Sequence, residues 1–213
     1  MLDDAIKILL IEDEDPHAEL IQRAFEERGD RVRIHRVKSL LEARTRMTTN
    51  VPDLIIADWR LPDGESLELL PDHKDPLATP VILMTSYGNE KIAVEALKSG
   101  ALDYVVKSPE AFATMPHTVE RVLREWTLLQ THKQAEAALR ASEAKFRTLA
   151  ENVQVGIVAH APDTSILLSN PMATEILGLT SDQMRGKKAI DPAWRFICED
   201  GTTLPLAEYP VNR

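Results

Sequence analysis

With 213 residues, 44% of them hydrophobic and 28% charged, the chain has room for one full globular domain and part or all of a second, at ~100–150 residues each. A formal charge of −9 excludes a generic nucleic-acid binder, which needs a basic face, and no apolar run reaches the roughly 18–20 residues of a membrane span. The acidic start Met1-Leu2-Asp3-Asp4 is unlike a secretory leader, so the expected location is the cytoplasm, and the lone Cys198 permits neither an internal disulfide nor a cysteine metal cluster.

From Lys7 to about Leu129, apolar strands alternate with amphipathic helices. Lys7 to Ile11 reads as a strand, and Pro16 to Arg28 as a helix with Leu20, Ile21, Ala24 and Phe25 on one face. Val32 to Val37 is the second strand; its alternating Arg33, Arg36 and flanking Lys38 protect a sheet edge. A helix opens at Ser39, an amino-terminal cap with Glu42 three residues on. Asp53 to Asp58 is the third strand, followed by a short helix from Ser66 to Leu70 that Pro71 stops. Pro80 to Thr85 is the fourth strand, Glu90 to Ser99 a helix closed by Gly100, and Asp103 to Val106 the fifth strand. A last helix starts near Pro109 or Ala111.

Five successive βα units predict an α/β domain whose parallel sheet carries helices on both faces. With right-handed crossovers, the usual doubly wound order is 2-1-3-4-5, and ligands gather where the order reverses, at the carboxyl ends of strands 1 and 3. Glu12, Asp13 and Asp58 fall there. Three converging carboxylates repel one another unless a cation intervenes, and Mg²⁺ suits an open oxygen site of this kind. Without the metal, an anionic flavin cofactor would be repelled. Thr85 and Lys107 reach the same edge from strands 4 and 5. A hydroxyl and an ammonium beside carboxylates and metal are what phosphoryl transfer requires, with Asp58 as nucleophile and an aspartyl phosphate as product. The six histidines show no HExxH or comparable spacing, which predicts ordinary surface or core positions for each.

The last helix continues past the α/β domain. Val119, Val122, Trp126 and Leu129, then His132, Ala135, Leu139, Ser142, Phe146 and Leu149, mark a seam with a one-residue phase shift at Gln130 to Thr131. No Gly or Pro interrupts Thr118 to Leu149, so the reading is either a helix that pairs with its twin or a solvated single helix. Past Glu151 come short strands at Val155 to His160 and Ile166 to Ser169 around a Pro162-Asp163 turn, then a helix from Asn170-Pro171 to Leu177 ended by Gly178. The remainder, with Pro192, Gly201, Pro205 and Pro210, reads as loop.

Ile8-Leu-Leu-Ile-Glu-Asp-Glu14, Asp58-Trp-Arg-Leu-Pro-Asp-Gly64, Met84-Thr-Ser86 and Gly100-Ala-Leu-Asp-Tyr-Val-Val-Lys107 resemble the receiver domain of two-component response regulators. That resemblance implies a flavodoxin-like fold over residues 1–129, with Mg²⁺ held by Glu12, Asp13, Asp58 and the backbone carbonyl of Arg60. It implies a phosphoryl group taken by Asp58 from a histidine kinase or phosphotransfer protein. It also implies that Thr85 shifts toward the phosphoryl group, that Lys107 pairs with it, and that Tyr104 turns inward as an aromatic switch. Arg60 either tunes the lifetime of the phosphoryl group or is merely solvated. Members of that family usually follow the lysine with a cis proline; here Ser108 intervenes and Pro109 stands one place on. After a coiled-coil-like linker at 130–150, Ala141 to Asn152, Val155 to Ala159, Leu168 to Ala173 and Ile176 to Gly178 resemble the opening of a PAS sensor domain, partial over 151–213. Cys198 lacks the Asn-Cys-Arg context of a flavin photoreceptor, and Gly186-Lys187-Lys188 lacks the rest of a phosphate loop.

The leading expectation is therefore a phosphoacceptor module, not itself an enzyme, with any histidine kinase or diguanylate cyclase lying beyond Arg213. Two alternatives stand beside it. A haloacid-dehalogenase-type phosphatase would want an acid two residues after Asp58, where Arg60 stands. A non-catalytic scaffold would use residues 119–149 only to dimerise.

Overall fold

In the computed structural model, which describes residues 5–29, 31–70, 79–86, 90–185, 197–205 and 208, the five expected strands form one parallel sheet. They are β1 (Ile6–Ile11), β2 (Val32–Val37), β3 (Leu54–Asp58), β4 (Val81–Thr85) and β5 (Asp103–Val106). Their order is β2-β1-β3-β4-β5, the flavodoxin-like arrangement. Both faces of β1, β3 and β4 are buried, which is why these strands are unbroken apolar runs, whereas β2 alternates because it lies at the edge. Register places Ile11 opposite both Val37 and Ala57, and Asp58 opposite Met84, so the strand ends carrying the acidic residues are level.

Helices α1 (Asp15–Arg28), α2 (Leu40–Thr49) and α3 (Glu90–Lys98) follow β1, β2 and β4. One core layer packs Leu9, Ile11, Ile55, Ala57 and Leu83 with Leu40 and Ala43 of α2; the other packs Ile8, Leu10, Ile56 and Met84 with Ile21 and Phe25 of α1. Ala18 is the third buried position of α1, while Leu20, expected on that face, is 44% exposed because it lies one residue, about 100° around the helix, from Ile21. Ser39 caps α2 as predicted, accepting from Glu42 N at 3.2 Å; Glu42 in turn accepts from Lys38 N rather than from the cap itself.

Between β3 and β4 the chain departs from the predicted helix. Arg60–Leu61 and Gly64–Glu65 pair as a two-residue hairpin, and Ser66–Leu69 is a single 3₁₀ turn. Gly64 sits at φ 150, and a Cβ there would lie 2.9 Å from Leu40 Cδ1, so the hairpin requires glycine. Asp63 beside it accepts from Leu40 N and Leu41 N at 2.9 and 3.0 Å, pinning this loop to the start of α2. After β5 the predicted single helix divides into α4 (Pro109–Ala113) and α5 (Met115–Asn152). Pro116 has no N–H to continue the ladder across Thr114. The proline displaced by Ser108 is thereby explained: Ser108 caps α4 and Pro109 occupies its first turn, and the described peptide bonds are all trans.

The chain divides into two compact units, residues 1–133 and 134–213. In the second, β6 (Val158–His160) and β7 (Ile166–Ser169) pair antiparallel and lead into α6 (Pro171–Leu177), as expected. Asn170 holds this unit together: it accepts from Ile157 N and Ala173 N, and donates to the carbonyls of Ala150 and Val155, all within 2.9 Å. A further helix, α7 (Ser181–Met184), stands where loop was expected. Its Thr180-x-x-Gln183 capping box was the readable signal. Pro71, the Gly186–Lys188 stretch, Pro192 and Pro210 lie outside the described residues. Among the described residues no helix is long and apolar enough to cross a membrane.

Candidate functional site

The ends of β1, β3, β4 and β5 bring chemically active groups to the carboxyl edge of the sheet. β1 ends at Ile11 and hands Glu12, fully buried, and Asp13, half-buried, into the turn before α1. β3 ends on Asp58, also buried. One carboxylate oxygen from each of the three lies within 4.8 Å of the others. From β5, Lys107 reaches across: Nζ donates to Asp58 Oδ2 at 2.7 Å and to Glu12 Oε1 at 3.0 Å. Its backbone N–H meets the carbonyl of Thr85, 2.8 Å away, which fixes the ends of β4 and β5 side by side. Thr85 itself is buried at the end of β4, and Tyr104 packs half-buried against the α2-side core. Arg60 is exposed, and its backbone N–H draws the Asp58 carboxyl downward.

Burial dominates the electrostatics. It raises the Glu12 carboxyl above its ordinary value against the opposing pull of Lys107, with Asp58 adding to the rise. It raises Asp58 likewise, again against Lys107, with Asp13 contributing. Burial also pushes the Lys107 ammonium down, but the hydrogen bonds and charges of Asp58 and Glu12 outweigh it and hold it above the usual lysine range. Three carboxylates face one ammonium, an imbalance of two negative charges. Glu12 Oε2, wholly buried, accepts no hydrogen bond and meets only the ion-pair contact of Lys107 at 2.8 Å. A donor set of carboxylate oxygens with an imbalance of two, and a buried Glu12 oxygen that shares the Lys107 ammonium with two other carboxylate oxygens, fits a hard divalent cation.

Three residues that sequence reasoning passed over also belong here. His17, expected to be ordinary surface or core, sits with Nδ1 3.3 Å from Lys107 Nζ and 3.5 and 3.4 Å from the carboxylates of Glu12 and Glu14. Its ring meets Phe112 at 5.3 Å between centroids. Position 17, in the first turn of α1, has local partners in Glu12 and Glu14, but its contacts with Lys107 and Phe112 come from chain about 90 residues away and leave no spacing signal. Ser66, buried, donates its hydroxyl to the Asp58 carbonyl. Arg36, assigned to edge protection, turns its guanidinium onto the acidic turn.

Residues 8–119, just over half of the chain, match the response regulator receiver domain. The chain belongs to that family. It is 39% identical over 130 residues to the methanogenesis regulatory protein FilR1 of Methanothrix harundinacea, covering 59% of this chain and 29% of that protein. It is 31% identical over 172 residues to the transcriptional regulatory protein ZraR of Klebsiella oxytoca, covering 80% and 35%. The chain thus spans about a third of the length of these relatives. Among solved structures, one assigned as a response regulator from Chloroflexus aurantiacus aligns with TM-score 0.50 at 25% identity, over 57% of this chain and 99% of that one. The signal receiver domain of a Luxo repressor protein from Vibrio parahaemolyticus shares the fold, with TM-score 0.51 at 24% identity over 60% and 96%.

Proposed function

We propose that this chain is the phosphoacceptor module of a two-component phosphorelay, with Asp58 as the acceptor. The observation that carries the reading is Lys107 Nζ 2.7 Å from Asp58 Oδ2 inside a buried cluster of carboxylates with no catalytic acid at position 60. Asp58 attacks the phosphorus of a phosphohistidine on a kinase or phosphotransfer protein; the P–O bond forms as the P–N bond breaks, and the departing imidazole takes a proton. Glu12, Asp13 and Asp58, with the Arg60 carbonyl, would hold Mg²⁺. When bound, it supplies positive charge for the phosphoryl oxygens. Lys107 gives up its bond to Asp58 and pairs with the phosphoryl group, and Thr85 and Tyr104 read that change. These residues accept and hold a phosphoryl group rather than turn over a substrate, and the setting is cytoplasmic.

The state passes along α5 to the second unit, read as the opening of a PAS sensor domain because Asn170 ties a short antiparallel pair to the end of α5. Leu139, Phe146 and Leu149 on α5 are 60 to 61% exposed, which supports pairing of this stretch with a second copy.

Incubation with acetyl phosphate and Mg²⁺, read by intact mass, tests the reading. A gain of one phosphoryl group in the wild-type chain and none in Asp58→Asn supports it. Steady release of inorganic phosphate would favour the phosphatase, and an inert protein the scaffold.

A further inference from the structure

Arg36 lies near the end of the edge strand β2, opposite Leu10 of β1. Its side chain is 19% exposed, low for an arginine on a sheet edge. The guanidinium folds back over the turn that follows β1. Nε donates to the carbonyl of Glu12 at 2.9 Å, Nη2 to the carbonyl of Asp13 at 3.0 Å, and Nη1 to Asp15 Oδ1 at 2.7 Å. Lys38 Nζ meets the same Asp15 oxygen at 2.7 Å and steadies the third point. One rigid fork therefore spans the turn that carries both acidic residues, gripping two backbone carbonyls and the first residue of α1.

The carboxylates of Glu12 and Asp13 converge on Asp58 although like charges drive them apart. A free turn would relax that repulsion by a small rotation of its backbone. Binding the two carbonyls blocks the rotation without touching the carboxylates. From this geometry we infer that Arg36 is a positioning residue for the divalent-cation site: it presets the turn so that Glu12 and Asp13 present their oxygens together. The inference rests on the cation-binding reading proposed above.

Geometry and field make opposite predictions. As a bare positive charge, Arg36 would weaken cation binding, so its removal would tighten binding, though Asp15 and water reduce that effect to roughly twofold. As a brace, its removal loosens the site, and loss of an outer partner of a metal ligand commonly weakens binding by about 10-fold or more.

The test is a Mg²⁺ titration of the 213-residue chain, followed by Trp59 fluorescence next to Asp58 and by calorimetry. Arg36→Ala is expected to raise the dissociation constant about 10-fold while the chain keeps a cooperative melting transition in Mg²⁺-free buffer. Arg36→Lys is expected to be nearly as weak, because an ammonium keeps the charge but cannot span the two carbonyls. Asp15→Asn, which leaves the fold least disturbed, is expected to lose about 3-fold, as one of three anchor points goes. Unchanged or tighter binding in Arg36→Ala, or full recovery in Arg36→Lys, overturns the inference and leaves the cation site standing. Absence of binding by the wild-type chain defeats the underlying reading instead.

Discussion

Lys107 shows how a single side chain sets the electrical state of the site. It satisfies Asp58 and one oxygen of Glu12, yet both carboxyls remain raised because burial costs them more than one shared ammonium returns. A carboxyl raised on folding adds stability that is complete below its unfolded value and is lost as the pH climbs through its folded value. Glu12→Gln should therefore melt higher than wild type in Mg²⁺-free buffer near pH 8, and thermal scans should show the gap closing toward about pH 4. Added Mg²⁺ should raise the melting point of the wild type but not of the variant. Lys107, raised in turn, contributes stability that is fully present below its unfolded value of 10.5 and is lost as the pH rises through its higher folded value.

Asp63 behaves in the opposite sense. The backbone N–H groups of Leu40 and Leu41 hold its carboxyl below the ordinary aspartate value of 3.8. That contribution is present above the unfolded value and disappears as the pH falls through the folded one. Asp63→Ala should lower the melting temperature at neutral pH, and the difference from wild type should vanish in acid. Glu12, Asp13, Asp58, Thr85 and Lys107 were legible as candidates because each terminates or follows an apolar strand, a position any strand pattern marks. Arg36, His17 and Ser66 were not, since each acts through contacts between elements that no periodicity records.

At the scale of elements, the five strands appear within a residue or two of their expected bounds because buried parallel strands are continuous apolar runs. The loop after β3 was misjudged: Ser66-Leu-Glu-Leu-Leu has a helical composition, but four residues between a hairpin and Leu70 close only one 3₁₀ turn. The break at Thr114 was hidden by reading past Pro116. In α5, Val119 and Val122 are buried against the sheet, whereas the seam from Leu139 onward faces solvent. If this stretch pairs with its copy, Leu139→Glu with Phe146→Glu should convert a dimer to a monomer in sedimentation velocity, while Mg²⁺ binding by the receiver unit stays intact. A wild-type chain that sediments as a monomer at all concentrations would remove the pairing.

Over the whole molecule, the sheet order is a doubly wound one compatible with right-handed crossovers, and it delivers groups from β1, β3, β4 and β5 to one edge with no local sequence contact between them. The second unit was harder to read: its strands and α6 follow turn and cap residues, but α7 is too short for a periodic signal and shows only through Thr180 and Gln183. The first unit carries one chemical proposition, that crowded carboxylates are stable together only with a divalent cation, and that this state makes Asp58 the acceptor. Treatment with acetyl phosphate, then reduction of any acyl phosphate with borohydride and peptide mapping, tests it most directly. The account predicts reduction at position 58, dependent on Mg²⁺. Reduction at another carboxylate, or at position 58 to the same extent in chelator, would contradict it.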